Sequence, residues 1–270
     1  MLKPPGKYAH VNGLKMYYEV HGHGDPLILL HGGVGSIGMF GEVLERLSQC
    51  CQVVAVDLQA HGRTADIDRP LSFESMADDI AALLQSLRLD ETDVMGYSLG
   101  GGVALRTAIQ HPQAVRKLVL VSTPFKRDGW LPDVLAGMAG MVPEAAEGMK
   151  QMPFYQNYAS LAPRPEDWSV LISKLGQLLA KEYDWTEAVR QLKMPVMLVV
   201  GDADSVRTAH AVEFFELLGG GKKDAGWDGT GMSNARLAIL PGITHYDIFS
   251  SPALADTVLP FLNATIPVSK

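Results

Sequence analysis

A serine with glycine two positions away on either side, Gly96-Tyr97-Ser98-Leu99-Gly100, follows the apolar run Asp93 to Met95 and opens a helix-like stretch, Leu99 to Gln110. A sharp strand-to-helix turn needs small residues at those positions, and it holds the serine hydroxyl at the sheet edge in a strained conformation. The amides of the following helix then face any negative charge that forms nearby. A serine hydroxyl is a poor nucleophile without a base, so Ser98 predicts a histidine on a late loop and an acid to fix its tautomer.

Of the eight histidines, His10, His21 and His23 fall in the N-terminal segment, His111 precedes a proline at a helix end, and His210 lies in a helical stretch. His245 differs: it stands in Pro241-Gly242-Ile243-Thr244-His245-Tyr246, which reads as a turn directly after the strand Arg236 to Leu240. The strand Val196 to Val200 runs into Gly201-Asp202-Ala203-Asp204-Ser205-Val206, where two carboxylates compete. Asp204 lies further out and is favoured as the acid, while Asp202 reads as a cap on the loop. Acyl transfer builds an oxyanion that needs two preorganised donors. One is the amide of Leu99; the other is expected from His31-Gly32-Gly33-Val34-Gly35, at Gly33, with Gly32 and Val34 as neighbours that could serve instead.

The elements that must carry these groups are legible as a rhythm. Lys7 to Val11 and Leu14 to Val20 flank Asn12-Gly13, a dipeptide suited to a tight hairpin turn. Short apolar runs follow at Leu27 to Leu30, Val53 to Val56, Asp93 to Met95, Leu118 to Val121 and Val196 to Val200. Continuous apolar strands imply burial on both faces, as in a parallel sheet covered by helices. Phe40 to Leu47, Phe73 to Leu87 (with Ser72 as N-cap) and Leu99 to Gln110 supply helices between them, and Ala209 to Leu218 another near the end. Alternation of this kind predicts an α/β fold with right-handed crossovers.

The rhythm breaks between residues 124 and 189, which predicts a helical insertion over one end of a core made of residues 1–123 and 190–270. Trp130, Met138, Met141, Met149 and Tyr155, with Val34 and Tyr97 from the core, are candidates for an apolar substrate pocket. The insertion's residues serve equally well as its own packing core. Gly219 to Asn234 reads as an exposed loop.

Bulk properties narrow the classes. The chain has 270 residues, is 47% hydrophobic and 20% charged, and carries a formal charge of −7. That size suits one domain with an insertion, and the acidic balance argues against nucleic acid or an anionic membrane as partner. Cys50 and Cys51 are sequence neighbours, read as reduced thiols at a strand start, and no Cys/His spacing resembles a zinc site. Met1 to Asp25 lacks the apolar run of a signal peptide, so a cytoplasmic location is expected. Nothing specifies an oligomeric state.

Taken together, these residues resemble the α/β-hydrolase superfamily over nearly the whole chain. The likeness rests on His31-Gly32-Gly33, Asp57 with His61-Gly62-Arg63, Gly96 to Gly100, Gly201 to Asp204, and Gly242 to His245. It implies an eight-stranded, mostly parallel sheet with one antiparallel strand and a helical cap over Ser98. It also implies the acid three residues after the glycine ending its strand, which matches Asp204, and a structural part for Asp57 to Arg63. Many relatives continue the acid loop with Val-Pro, whereas here Val206 is followed by Arg207. The serine disfavours the branches that use a carboxylate nucleophile. The expectation is a cofactor-free carboxylesterase acting on a small-molecule ester. An N-acyl-homoserine lactonase is the nearest alternative; a perhydrolase, a carbon-carbon bond hydrolase and a small-molecule receptor share the fold.

Overall fold

The computed structural model describes residues 5–265. Met1 to Pro4, the head of the segment read for a leader, lie outside them. A hairpin opens the fold, β1 (Lys7–Val11) and β2 (Leu14–His21), turning at Asn12 and Gly13, whose φ angles of 47° and 81° are those the dipeptide was expected to accept. Six further strands follow: β3 (Asp25–Leu30), β4 (Cys51–Val56), β5 (Thr92–Tyr97), β6 (Val115–Val121), β7 (Val196–Ala203) and β8 (Ala235–Thr244). They form one sheet in the order β1-β2-β4-β3-β5-β6-β7-β8. Only β2 runs against its neighbours; every pairing from β4 to β8 is parallel.

The apolar runs are explained by two separate cores. Ile28, Leu30, Val54, Val56, Leu118 and Leu120 face one layer, and Leu27, Leu29, Val53, Ala55, Val119 and Val121 face the other. Successive side chains point to opposite faces, so a strand buried on both sides must be apolar throughout. The first layer is filled by α2 (Phe73–Leu87) and α3 (Leu99–Gln110), the second by α1 (Gly41–Leu47) and α10 (Pro252–Asn263). Helix α2 starts where Ser72 predicts, its hydroxyl accepting from the Ser75 amide at 3.0 Å.

Between β6 and β7 the chain is helical: α4 (Pro132–Ala139), α5 (Ala146–Met149), α6 (Pro153–Leu161), α7 (Trp168–Leu179) and α8 (Thr186–Arg190). The last regular helix before β8 is α9 (Thr208–Leu217). Helix α7 buries Leu171, Ile172, Leu175 and Leu178 on one face, and Trp168 Nε1 donates to the Ala146 carbonyl at 2.9 Å. Lys174, Asn157 and Leu175 are among the contacts that tie this segment to the core. Lys174 Nζ donates to Asp66 Oδ2 at 2.6 Å and to the carbonyls of Ile67 and Arg69, both at 2.8 Å. Asn157 Nδ2 donates to Ser36 Oγ at 3.0 Å, and a Leu175 methyl rests beside Gly33. No described helix is long and apolar enough to cross a membrane.

The last two strands run longer than the sequence reading: β7 continues past Val200 to Ala203, so Asp202 lies in the strand rather than capping a loop. Pro241 to Thr244 is not a turn but the end of β8, so His245 follows a ten-residue strand directly. Strand β8 closes the sheet at one edge, where a proline removes no needed ladder bond.

Candidate active site

Ser98 sits between β5 and α3 with φ 52° and ψ −116°, a left-handed conformation that a side-chain-bearing residue adopts only under strain. Its amide donates to the Val121 carbonyl at 2.9 Å, and its own carbonyl accepts from Gly102 N and from Thr123 Oγ1, each at 3.0 Å. The flanking glycines are steric necessities. A Cβ on Gly96 would stand 2.2 Å from the Gly100 carbonyl oxygen; one on Gly100 would stand 2.4 Å from the oxygens of Leu30 and His31. Strand and helix touch through their backbones here, which leaves the hydroxyl of Ser98 as the protruding group.

That hydroxyl lies 3.1 Å from His245 Nε2, and His245 Nδ1 lies 2.8 Å from Asp204 Oδ1. The structure therefore brings together Ser98, Asp204 and His245 from three connections. Asp204 is buried and fully partnered: Oδ1 also accepts from Val206 N at 3.1 Å, and Oδ2 accepts from Gly201 N at 3.0 Å and from the Ser122 hydroxyl. Burial alone would raise its pKa. The hydrogen bond and charge of His245, the Ser122 hydroxyl and the Gly201 amide outweigh that and hold the carboxyl below its ordinary value. It is a carboxylate at neutral pH. Asp202, the competing carboxylate, is exposed and instead accepts from Gly242 N at 2.8 Å, tying the β7 end to the β8 end.

The two residues expected to supply oxyanion donors are neighbours. Both Leu99 Cβ and Leu99 Cδ2 lie within 4.0 Å of where a Gly33 Cβ would stand, and a Cβ on Gly32 would lie 3.4 Å from Ser98 Cβ. Among the described residues, neither the Gly33 nor the Leu99 amide donates to a protein acceptor. Val34 has φ 53°, so the loop turns sharply just past Gly33. His31 fixes this loop from below: Nδ1 donates to the Gly32 carbonyl at 2.7 Å and Nε2 accepts from Leu58 N at 3.1 Å. Burial pulls its pKa down to about 4, so it is neutral. Asp57 accepts from the amides of Ile37 and Arg63, both at 2.8 Å, as a turn-former would.

The pocket candidates scatter. Trp130 is buried with its ring edge-on to His245 at 5.5 Å, and Val34 is half-buried beside the oxyanion loop. Tyr97 is buried beneath the site, where its hydroxyl donates to the His245 carbonyl at 2.7 Å and its ring lies 5.2 Å from the imidazole. Burial and the charge of Asp204 raise its pKa, so the hydroxyl keeps its proton. Tyr155 packs edge-on to Trp168, and Met141 and Met149 pack on the helical segment's core; Met138 is half-buried on α4. Sequence reasoning missed Leu175 and Ser122 altogether. Neither carries a local signal, because each meets the site only through tertiary packing.

Comparison with known proteins agrees with this fold. Residues 25–220 match the family model described as alpha/beta hydrolase fold, and the chain belongs to that family. It is 27% identical over 259 residues to the pimeloyl-[acyl-carrier protein] methyl ester esterase of Nitrosomonas europaea, covering 88% of this chain and 95% of that protein. The first curated relatives, at 33% identity, match over only 119 to 124 residues, so the chain spans 35–47% of their length. Among solved structures, an enol-lactonase from Burkholderia xenovorans (20% identity, TM-score 0.74, covering 96% of this chain and 100% of that one) shares the fold. So does the carboxylesterase CesB of Bacillus subtilis, at 19% identity and TM-score 0.74, over 98% of this chain and 93% of that one.

Proposed function

We propose that this protein is a serine hydrolase that cleaves carboxylic esters through an acyl-enzyme. The observation that carries the reading is the hydrogen-bonded line from Asp204 through His245 to a strained Ser98. His245 Nε2 takes the Ser98 proton as Oγ attacks the ester carbonyl carbon, and the carbonyl electron pair moves to oxygen. The Gly33 and Leu99 amides, with the N-terminus of α3, hold that oxyanion. As the carbonyl re-forms, the bond to the alcohol breaks and the alcohol leaves with the proton from His245. Water then attacks the acyl-enzyme by the same route, releasing the acid and restoring Ser98. Asp204 keeps the His245 Nδ1 proton in place and stabilises the imidazolium. Ester as substrate is supported by the near full-length likeness to a methyl ester esterase. The helices α4 to α8 act as the cap, with Trp130 and Leu175 as apolar walls beside the reacting atoms.

The test is hydrolysis of p-nitrophenyl acetate and butyrate by wild type and Ser98→Ala. Turnover by the first and its loss in the second is expected. Turnover by Ser98→Ala at the wild-type rate would refute the reading.

A further inference from the structure

Two consecutive side chains at the end of β6 reach the two halves of the triad. Thr123 Oγ1 donates to the Ser98 carbonyl at 3.0 Å, and the Ser122 hydroxyl donates to Asp204 Oδ2. Ser122 is fully buried and has φ 53°, while its amide continues the sheet by donating to the Val199 carbonyl at 2.9 Å. Glycine would take that angle without strain, whereas serine does not. What the serine adds at this strained position is one hydroxyl, aimed at the acid.

The acid has a use for it. Each carboxylate oxygen of Asp204 meets two donors, and three of the four come from its own strand and loop or from His245: Gly201 N, Val206 N and His245 Nδ1. Ser122, directly after β6, is the donor that comes from the neighbouring strand, and so the one that ties the carboxylate to the strand paired with β5, which leads into Ser98. We infer that Ser122 is a positioning residue that fixes the plane of the Asp204 carboxylate, so that Oδ1 meets His245 while Oδ2 stays on β6. This deepens the triad reading given above and rests on it.

Two consequences follow from removing the hydroxyl. The carboxylate rocks about its last torsion, so kcat falls, while KM holds because Ser122 lies behind Asp204 and touches no substrate. The looser carboxylate also makes a weaker hydrogen bond to His245 Nδ1, so the proton in that bond resonates further upfield.

The experiment uses Ser122→Gly and Ser122→Ala. Glycine lacks the hydroxyl but accepts φ 53° freely, so it secures folding if alanine does not. Each variant is assayed on p-nitrophenyl acetate, and the His245 Nδ1 proton is observed by 1H NMR, which needs no substrate. The expected result is a kcat lower by about tenfold, the size of losing a hydrogen bond to a charged group, at unchanged KM. The His245 Nδ1 proton resonance should move upfield in both variants. Wild-type kcat in either variant, an unmoved resonance, or recovery in glycine of what alanine loses would overturn the proposal. If wild type cleaves no ester, the triad reading fails, and the Nδ1 proton resonance still decides whether Ser122 acts on the acid.

Discussion

The most exposed inference is the choice of Asp204 over Asp202, and converting each to asparagine tests it. At Asp204 the amide has two orientations, and both conflict with the surroundings. With its oxygen toward His245 and Val206, its NH2 points at the Gly201 amide, two donors face to face, while the Ser122 hydroxyl can rotate to accept. With its NH2 toward Val206, His245 must offer Nδ1 as acceptor, and Nε2 then carries the proton toward Ser98. The first orientation keeps the tautomer but loses the charge that stabilises the imidazolium; the second leaves no base. A buried amide without an acceptor costs about 1–3 kcal/mol in either case, which lowers Tm by roughly 2–6 °C for a chain of this size. Loss of the orienting carboxylate lowers kcat by about 10³ to 10⁴, on the order of 4–5 kcal/mol of transition-state stabilisation. Asp202→Asn neutralises only an exposed carboxylate and leaves an amide oxygen that can still accept from Gly242 N, so kcat should stay within about threefold of wild type. The assay is p-nitrophenyl acetate hydrolysis beside thermal melts of both variants. Asp204→Asn retaining more than about a tenth of wild-type kcat, or Asp202→Asn falling as far, would refute the assignment.

Tyr97→Phe deletes one hydroxyl and keeps the ring; kcat should fall by about three- to tenfold at unchanged KM, since the His245 carbonyl loses its buried donor. A kcat equal to wild type would show that the turn holds itself. Stability should fall as pH drops from about 6.5 toward 4. Burial holds His31 and His210 near 4 and His61 near 3 in the folded chain, so the unfolded chain takes up protons first and gains from doing so. Asp57, raised to about 6 by burial, and Asp93, which burial also raises, work the other way, but two carboxyls oppose three histidines. A melting temperature higher at pH 5 than at pH 7.5 would contradict this. Lys174→Met should speed amide exchange in α7 while leaving α2 and α3 unchanged, because its three donors are the polar tie between α7 and residues 66–69; equal exchange everywhere would argue that apolar packing alone seats the helix.

What could be read in advance was what local chemistry decides. The hairpin at Asn12-Gly13, the bounds of α2 and α3 and the Ser98 elbow follow from turn residues, a cap and apolar period within a few positions. The end of β8 was misread because Pro241-Gly242 punctuates like a turn. Only sheet order, which local sequence does not encode, places that pair on an outer edge where the proline is harmless. Asp204 could be favoured by reach, yet its partners Ser122 and Gly201 come from β6 and from the end of its own strand, a convergence that only the folded sheet creates. Tyr97 was legible as a neighbour of the nucleophile but not as the prop of His245, 148 positions away. The helical segment was legible as an interruption; which of its side chains turn toward Ser98 was not, since Met and Trp pack equally well inward or outward.

The route by which that segment leaves and rejoins the sheet sets where it can be exchanged. Phe125 to Arg127 pair with Tyr183 to Trp185 in a short antiparallel neck, through Arg127 N to the Tyr183 carbonyl and Trp185 N to the Phe125 carbonyl, both at 3.0 Å. Just beyond it, Trp130 bridges Val206, Leu131 N donates to the Ser205 carbonyl and Arg207 N to that of Gly129, both at 2.9 Å. Residues 124 to 131 are thus stitched to the loop that carries Asp204. A chimera spliced at 124 would tear out the acid's own scaffolding, whereas grafts joined after Leu131 and before Tyr183 would keep it. The modular unit for recombination is shorter at both ends than the run of helices suggests.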